Sequence, residues 1–231
     1  MKAGVIVFPG SNSDRDVAVA IERVCGRRPQ MIWHGDHDLP DLDLVILPGG
    51  FAYGDYLRAG AMAARSPIVD AVKKHAARGG LTLGICNGFQ MLTEMGLLPG
   101  ALLRNRDLHF ICRDVDLRVE NTNSAFTRDF AANPQVRINM SHHDGNYVAS
   151  DSDIAALEAE NRVVFRYVDR DGTPQYDTAP NGSTRGIAGI LNRGGNVLGL
   201  MPHPERLFEN ALGGSGGRPM FTSLMNHFAH A

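Results

Sequence analysis

Leu81-Thr82-Leu83-Gly84-Ile85-Cys86-Asn87-Gly88-Phe89-Gln90 sets an apolar run directly against a helix-forming one, with a cysteine at the junction and a glycine two residues to either side. A strand that turns sharply into a helix crowds its own backbone. Glycines at minus two and plus two relieve that crowding and hold the intervening side chain at the strand tip. The segment reads as a nucleophile elbow with cysteine in place of serine, and the N-terminus of the following helix favours the reactive thiolate.

Working outward, the same strand-turn-helix unit recurs. Val5 to Phe8 is an apolar run followed by Pro9-Gly10-Ser11-Asn12 and a helical spacing through Val17, Ala20, Ile21 and Val24, which Ser13 or Asp14 can cap. Met31 to Trp33 makes a short second strand, Leu44 to Leu47 a third that ends in Pro48-Gly49-Gly50, and Ala61 to Ala77 a helix. Leu81 to Ile85 is the fourth strand and Asn87 to Met95 its helix. Strands alternating with helices imply right-handed crossovers, hence an α/β fold with a mostly parallel central sheet covered on both faces. The second half changes character. Val115 to Val119, Val136 to Met140, Val163 to Val168, Ile187 to Leu191 and Val197 to Met201 are short strands joined by polar turns, expected as antiparallel additions; Met220 to Phe228 is a closing helix. Gly213 to Gly217 reads as a flexible surface loop, and no linker divides the chain, so residues 1–231 are expected to form one domain.

The chain is 43% hydrophobic, enough for a sizeable core, yet no stretch approaches the roughly 18 uninterrupted apolar residues of a membrane span. Its opening apolar run stops at Pro9-Gly10 with no small-residue cleavage site, so it reads as a first strand and not as a signal peptide. The net charge is −2, from 23 basic and 25 acidic residues, and the basic residues are scattered. No stripe follows a phosphate backbone, which argues against a nucleic-acid partner. Cys25, Cys86 and Cys112 are odd in number and widely spaced, suggesting neither a disulfide framework nor a paired-cysteine zinc site, and a cytoplasmic location is expected.

For Cys25 and Cys112 the default is a small core residue. Cys86 needs a base. His203 stands out among nine histidines because it lies in Met201-Pro202-His203-Pro204-Glu205, directly after an apolar strand. Residues before a proline favour extended backbone, in which positions two apart point the same way, so His203 and Glu205 are expected to project together. The imidazole can then face the thiol while the carboxylate orients its other nitrogen. Donors for a developing oxyanion are expected from Gly49 and Gly50 and from the Asn87 N–H, one such donor being worth about 3–4 kcal/mol. His142-His143-Asp144 and the His34, His37 pair lack further ligands nearby in sequence; hydrogen-bonding or supporting roles are expected for them and no metal site. His75, His109, His227 and His230 read as ordinary helix or strand-face residues.

Taken together, the PGG loop, the G-x-C-x-G-x-Q elbow and the late H-P-E resemble the class I (triad) glutamine amidotransferases. PGSNSDRD (9–16), GGFAYGDYLRAGA (49–61), LGICNGFQ (83–90), RNRDLHFICR (104–113), PNGS (180–183) with IAGI (187–190), and GNVLGLMPHPER (195–206) narrow this to the glutaminase-subunit family of phosphoribosylformylglycinamidine synthases, from end to end. The resemblance implies a flavodoxin-like three-layer fold, with Cys86 as nucleophile, His203 as base, Glu205 as its support, and glutamine contacts at Gly50 and Gln90. It implies ammonia delivery to an ATP- and magnesium-dependent synthetase subunit (PurL), with a small accessory subunit (PurS), for amination of formylglycinamide ribonucleotide. No cofactor is expected in this chain, which has no phosphate loop. The sequence departs from the family at Ser141-His142-His143-Asp144-Gly145, where alanine-histidine-glycine-glutamate-glycine is usual, and at Ser13 and Ala52, where cysteine and serine are usual. A stand-alone cysteine hydrolase, an amidotransferase serving a different synthetase, and a catalytically silent scaffold subunit are the competing readings.

Overall fold

The structure, a computed structural model, describes residues 1–229; His230 lies outside them. The elements are β1 (Ala3–Val7), α1 (Asp14–Cys25), β2 (Gln30–Trp33), β3 (Leu44–Leu47), α2 (Val69–Ala77), β4 (Leu81–Ile85), α3 (Asn87–Glu94), β5 (Ala101–Leu103), β6 (Ile111–Val119), β7 (Gln135–His142), β8 (Asn146–Val148), α4 (Asp151–Ala159), β9 (Val163–Val168), β10 (Ile187–Leu191), β11 (Val197–Leu200) and α5 (Arg218–Ala229). Nine strands form one sheet in the order β2-β1-β3-β4-β11-β10-β9-β6-β7, and β5 pairs with β8 separately. Every residue of β3, β4 and β11 is buried, so both faces of the sheet are covered there, the three-layer arrangement expected of continuous apolar strands. No helix among the described residues is long and apolar enough to cross a membrane.

Pairing is parallel from β2 through β1, β3 and β4 to β11, and antiparallel from β11 onward through β10, β9, β6 and β7. The Val197 to Met201 run is therefore not simply one of the antiparallel additions. It is the shared strand, parallel to β4 on one side and antiparallel to β10 on the other. Its register sets Leu200 beside Ile85, so the residues that follow both strands leave the sheet at the same edge.

Other departures from expectation have local causes. The helix expected over Ala61 to Ala77 is broken: Ala63–Arg65 is a single 3-10 turn, Ser66 is extended at φ −65°, ψ 149°, and α2 begins only at Val69. Pro67 disfavours helical backbone at Ser66. Ser13 precedes α1 but makes no side-chain cap; its hydroxyl donates to Asn12 Oδ1 and accepts from Arg206. Cys112 is exposed and Cys25 half-buried, so neither is a full core residue. His109 lies in a bend and not on a helix or strand face. The helix α4, with Ser150 accepting from the Asp153 N–H, was not expected.

Close packing of α3 on the sheet depends on the glycines flanking Cys86. A Cβ at Gly88 would lie 1.9 Å from the Leu47 carbonyl oxygen, and one at Gly84 would lie 2.7 Å from the Gly88 carbonyl. Each is backbone and cannot rotate away. Gly88→Ala is therefore expected to cost about 3 kcal/mol or more, a fall in Tm of roughly 6–12 °C by thermal denaturation. An unchanged Tm would show that α3 does not rest on β3 as described.

Candidate active site

Ligands of open α/β sheets bind beyond the carboxyl ends of the parallel strands, and here β3, β4 and β11 deliver Gly49, Cys86 and His203 to one such edge. Cys86 follows β4 at φ 52°, ψ −106°, a strained backbone for a residue with a side chain. Its N–H continues the sheet ladder to the Leu200 carbonyl at 2.8 Å, and its carbonyl accepts from the N–H groups of Phe89 and Gln90 in the first turn of α3. The elbow is thus clamped on both sides. Cys86 Sγ lies 3.7 Å from the Ser141 carbonyl oxygen at the end of β7.

His203 reaches the site from β11. Its N–H donates to the Asn139 carbonyl at 2.7 Å, and its side chain is buried. His203 Nδ1 lies 2.6 Å from Glu205 Oε1, with Glu205 also buried. The two do meet, but not along an extended segment: His203 is extended, whereas Pro204–Arg206 is a 3-10 turn that folds the carboxylate back. The fixed φ of Pro204 suits that first helical position. His203 Nε2 has no hydrogen-bond partner. Burial alone would weaken this imidazole as a base; the carboxylate of Glu205 and the neighbouring Cys86 override it and raise its pKa. A thiol, a strengthened base with one free nitrogen, and a carboxylate on the other nitrogen are the elements of a nucleophilic triad.

The four residues expected around substrate divide into two pairs. Gly50 and Gln90 line the same cavity as Cys86 and His203. Gly49 stands behind His203: a Cβ there would lie 2.7 Å from the imidazole Cε1, so glycine is what lets the ring take its place. Asn87 is buried behind the loop. Its Oδ1 accepts from the Ala52 N–H at 3.0 Å, and its amide donates to Gln90 Oε1 at 2.7 Å and Asp55 Oδ1 at 3.3 Å. Gln90 in turn donates to the Asp144 carbonyl, closing the cavity with a protein-protein bond.

Further residues lining the cavity were not singled out as site residues, namely Asn12, Phe51, Asp55 and Arg206; Ser141, His142, His143 and Asp144 were marked as a departure from the family's pattern, the last three also as a polar cluster, and not as lining residues. His142 does not hydrogen-bond as expected: both its ring nitrogens are buried and unpartnered, and burial pushes its pKa down to about 3, so it is neutral. His143 does, through Asp144 Oδ2 at 3.0 Å and the Leu108 carbonyl at 3.2 Å. His34 bonds Tyr53 and Ser66. Among the described residues no three His, Cys, Asp or Glu side chains converge as a metal site would need. The cavity's volume is about 20 Å³, room for one water and too little for an amino acid.

Residues 1–214 match the model of the CobB/CobQ-like glutamine amidotransferase domain. The chain is 58% identical over 226 residues to phosphoribosylformylglycinamidine synthase subunit PurQ of Rhodospirillum rubrum, covering 97% of this chain and 98% of that one. It is 57% identical over 230 residues to the same subunit of Zymomonas mobilis, covering 99% and 100%. The chain belongs to the PurQ family. Among solved structures, that of PurLQS from Thermotoga maritima contains a chain with a TM-score of 0.87 and 48% identity, with 98% of each covered. The glutaminase domain of Trypanosoma brucei CTPS, 12% identical over 98% of this chain and 94% of that one, has a TM-score of 0.62, a likeness of fold alone. The Thermotoga maritima chain shares the fold built above along almost its whole length.

Proposed function

We propose that this chain is the glutaminase subunit of a phosphoribosylformylglycinamidine synthase, with Cys86 as nucleophile, His203 as base and Glu205 as the group that orients and charges the imidazole. The observation that carries this is the meeting of Cys86, His203 and Glu205 at one cavity, in a chain similar from end to end to PurQ subunits. The Cys86 thiol gives its proton to His203 Nε2, and Sγ attacks the carboxamide carbon of glutamine. The resulting oxyanion is assigned to backbone N–H groups at the cavity wall, where Gly50 is the expected donor that lines it. His203 returns the proton to the departing nitrogen, the C–N bond breaks, and ammonia leaves a glutamyl thioester. Water deprotonated by His203 then attacks the thioester, the C–S bond breaks, and glutamate and the thiol are restored.

Ammonia in bulk water is mostly protonated and no nucleophile, so it is best passed directly to an acceptor. The acceptor site is assigned to a synthetase subunit of the PurL kind, together with a PurS-like accessory subunit, as in the Thermotoga maritima assembly named PurLQS. ATP and magnesium belong to the synthetase, this chain needs no cofactor of its own, and the assembly works in the cytoplasm. The surface supports a partner there. Phe51, Tyr56, Leu57, Leu103, Leu108 and Phe110 are exposed apolar side chains, Leu57 94% so, and Phe51 also lines the cavity. Phe51, Leu57 and Leu103 line one open groove and the Phe51 and Phe110 rings lie 6.3 Å apart, and adjoining exposed apolar residues of this kind mark an interaction face.

A cavity of about 20 Å³ must open before glutamine enters. The isolated chain is therefore expected to form glutamate slowly, and the rate to rise at least about tenfold when the partner subunits and their nucleotide ligands are added. Assaying glutamate with and without those subunits decides it. Equal rates would identify a self-sufficient hydrolase instead.

A further inference from the structure

The turn from Ser141 to Gly145 walls the cavity and holds it shut, since the Asp144 carbonyl accepts from the Gln90 amide. What fixes this turn lies outside the cavity. Asn105, fully buried between β5 and β6, does not line the cavity but grips the turn at three points. Its N–H donates to the His143 carbonyl at 2.9 Å, its side-chain amide donates to the His142 carbonyl at 2.9 Å, and its Oδ1 accepts from the Gly145 N–H at 3.1 Å. The same amide donates to the His109 carbonyl at 2.9 Å, so both of its donor hydrogens are in use. From the other side Asn181 and Ser183, also buried, donate to the Gly145 carbonyl at 2.8 and 3.3 Å, and the Asn181 carbonyl accepts from the Arg106 N–H at 3.0 Å.

The segment that carries Asn105 runs on through Leu108 and Phe110, apolar side chains that stand exposed, with Leu108 left-handed at φ 57°. A buried amide whose polar atoms are all engaged cannot follow one neighbour without straining its bonds to the other. A shift of His109 or its neighbours thus pulls on Asn105, and through it on the turn. We infer that Asn105 is a positioning residue that couples residues 106–110 to the turn at 142–145, keeping the cavity shut in the free chain and letting it open when a synthetase subunit draws 106–110 outward. This rests on the glutaminase reading above, and it names the residue through which a partner controls the entry of glutamine. The element with two arrangements is the turn, either bonded to Gln90 or parted from it. A partner that binds only the shifted form of 106–110 favours the second. Asn105 acts through the turn and touches no reacting atom.

The chain's own cysteines report the outcome. Cys86 is buried at the cavity, Cys112 is exposed, and Cys25 is half-buried with its thiol pushed up to about 11 by burial. Alkylation by iodoacetamide with peptide mapping therefore reads cavity opening at Cys86, reagent activity at Cys112 and unfolding at Cys25. In the free chain Asn105→Ala is expected to speed Cys86 alkylation at least about tenfold with Cys25 unchanged, since three bonds to the turn are lost or loosened. Glutamate formation without partner subunits should rise, and its further activation by those subunits and their nucleotides should fall at least about fivefold. General damage would instead lower glutamate formation in both states. Unchanged Cys86 alkylation, or activation equal to that of the wild type, overturns the coupling. If Cys25 reacts quickly the variant has unfolded, and the wild type decides: the Asn105 and Gly145 N–H groups are expected to exchange with deuterium at least about tenfold faster in the assembly than in the free chain. Equal or slower exchange overturns the coupling. If neither the free nor the assembled wild type forms glutamate, the glutaminase reading fails first, and alkylation and exchange still judge the coupling by themselves.

Discussion

Cys86→Ala is expected to reduce glutamine-dependent synthesis by the assembled enzyme at least about 10⁴-fold, since loss of a nucleophile that acts as one unit with its base removes nearly all of the unit's contribution. The same preparation should retain its ammonium-dependent synthesis, because free ammonia enters the acceptor's site without this chain's chemistry. The fold should survive. Alanine bears the same backbone strain at φ 52° as cysteine does, and the contact that Sγ makes with the Ser141 carbonyl is a long one at 3.7 Å. Measuring both nitrogen donors on one sample separates loss of chemistry from loss of assembly. Retained glutamine turnover would remove Cys86 from the mechanism, and loss of both activities would assign it a structural role.

Glu205→Gln changes charge at constant size and is expected to lower kcat for glutamine by about 10²–10⁴-fold with little change in KM. With a carboxylate at 2.6 Å, Nδ1 must carry the proton and Nε2 is left to accept the thiol's. A carboxamide can offer its N–H₂ to Nδ1 and so favour the opposite tautomer, with Nε2–H facing the sulfur. The pH profile distinguishes this from a merely disturbed pocket. Glu205 raises the imidazole pKa against the opposing effect of burial, so its removal should move the imidazole-dependent limb of kcat to lower pH. Because the imidazole then becomes neutral, no uncompensated buried ion is left to unfold the protein. A variant that lost activity with an unmoved limb would show that the carboxylate acts by packing alone.

β1 and β3 were legible because they are short apolar runs that lead into Pro9 and Pro48, and the elbow after β4 was legible because two glycines frame one cysteine, whereas the parallel partner of β4 on its other side, β11, was not. What lay outside local sequence was harder. Only Ile154 and Leu157 of α4 are buried, too few for a helical stripe to stand out, and β5 and β8 are three residues each. The pairing of His203 with Glu205 was anticipated for the wrong geometric reason, since Pro204 starts a turn and does not prolong the strand. Asp55 stayed hidden because its place depends on left-handed backbone at residues with no intrinsic preference for it. That Gln90 is occupied by Asp144, leaving the cavity shut, is a property of two segments distant in sequence.

The shared strand β11 also has a bearing on biosynthesis. The thiol and its base belong to halves of the chain that are made at different times, and they become neighbours only when β11 has inserted between β4 and β10. Chains emerge N-terminal end first, and pairings of high sequence separation form late. A nascent or partly folded molecule thus displays a cysteine without its partner imidazole. On the proposed mechanism, completion of the sheet is what arms the thiol, and a chain interrupted before β11 is expected not to consume glutamine.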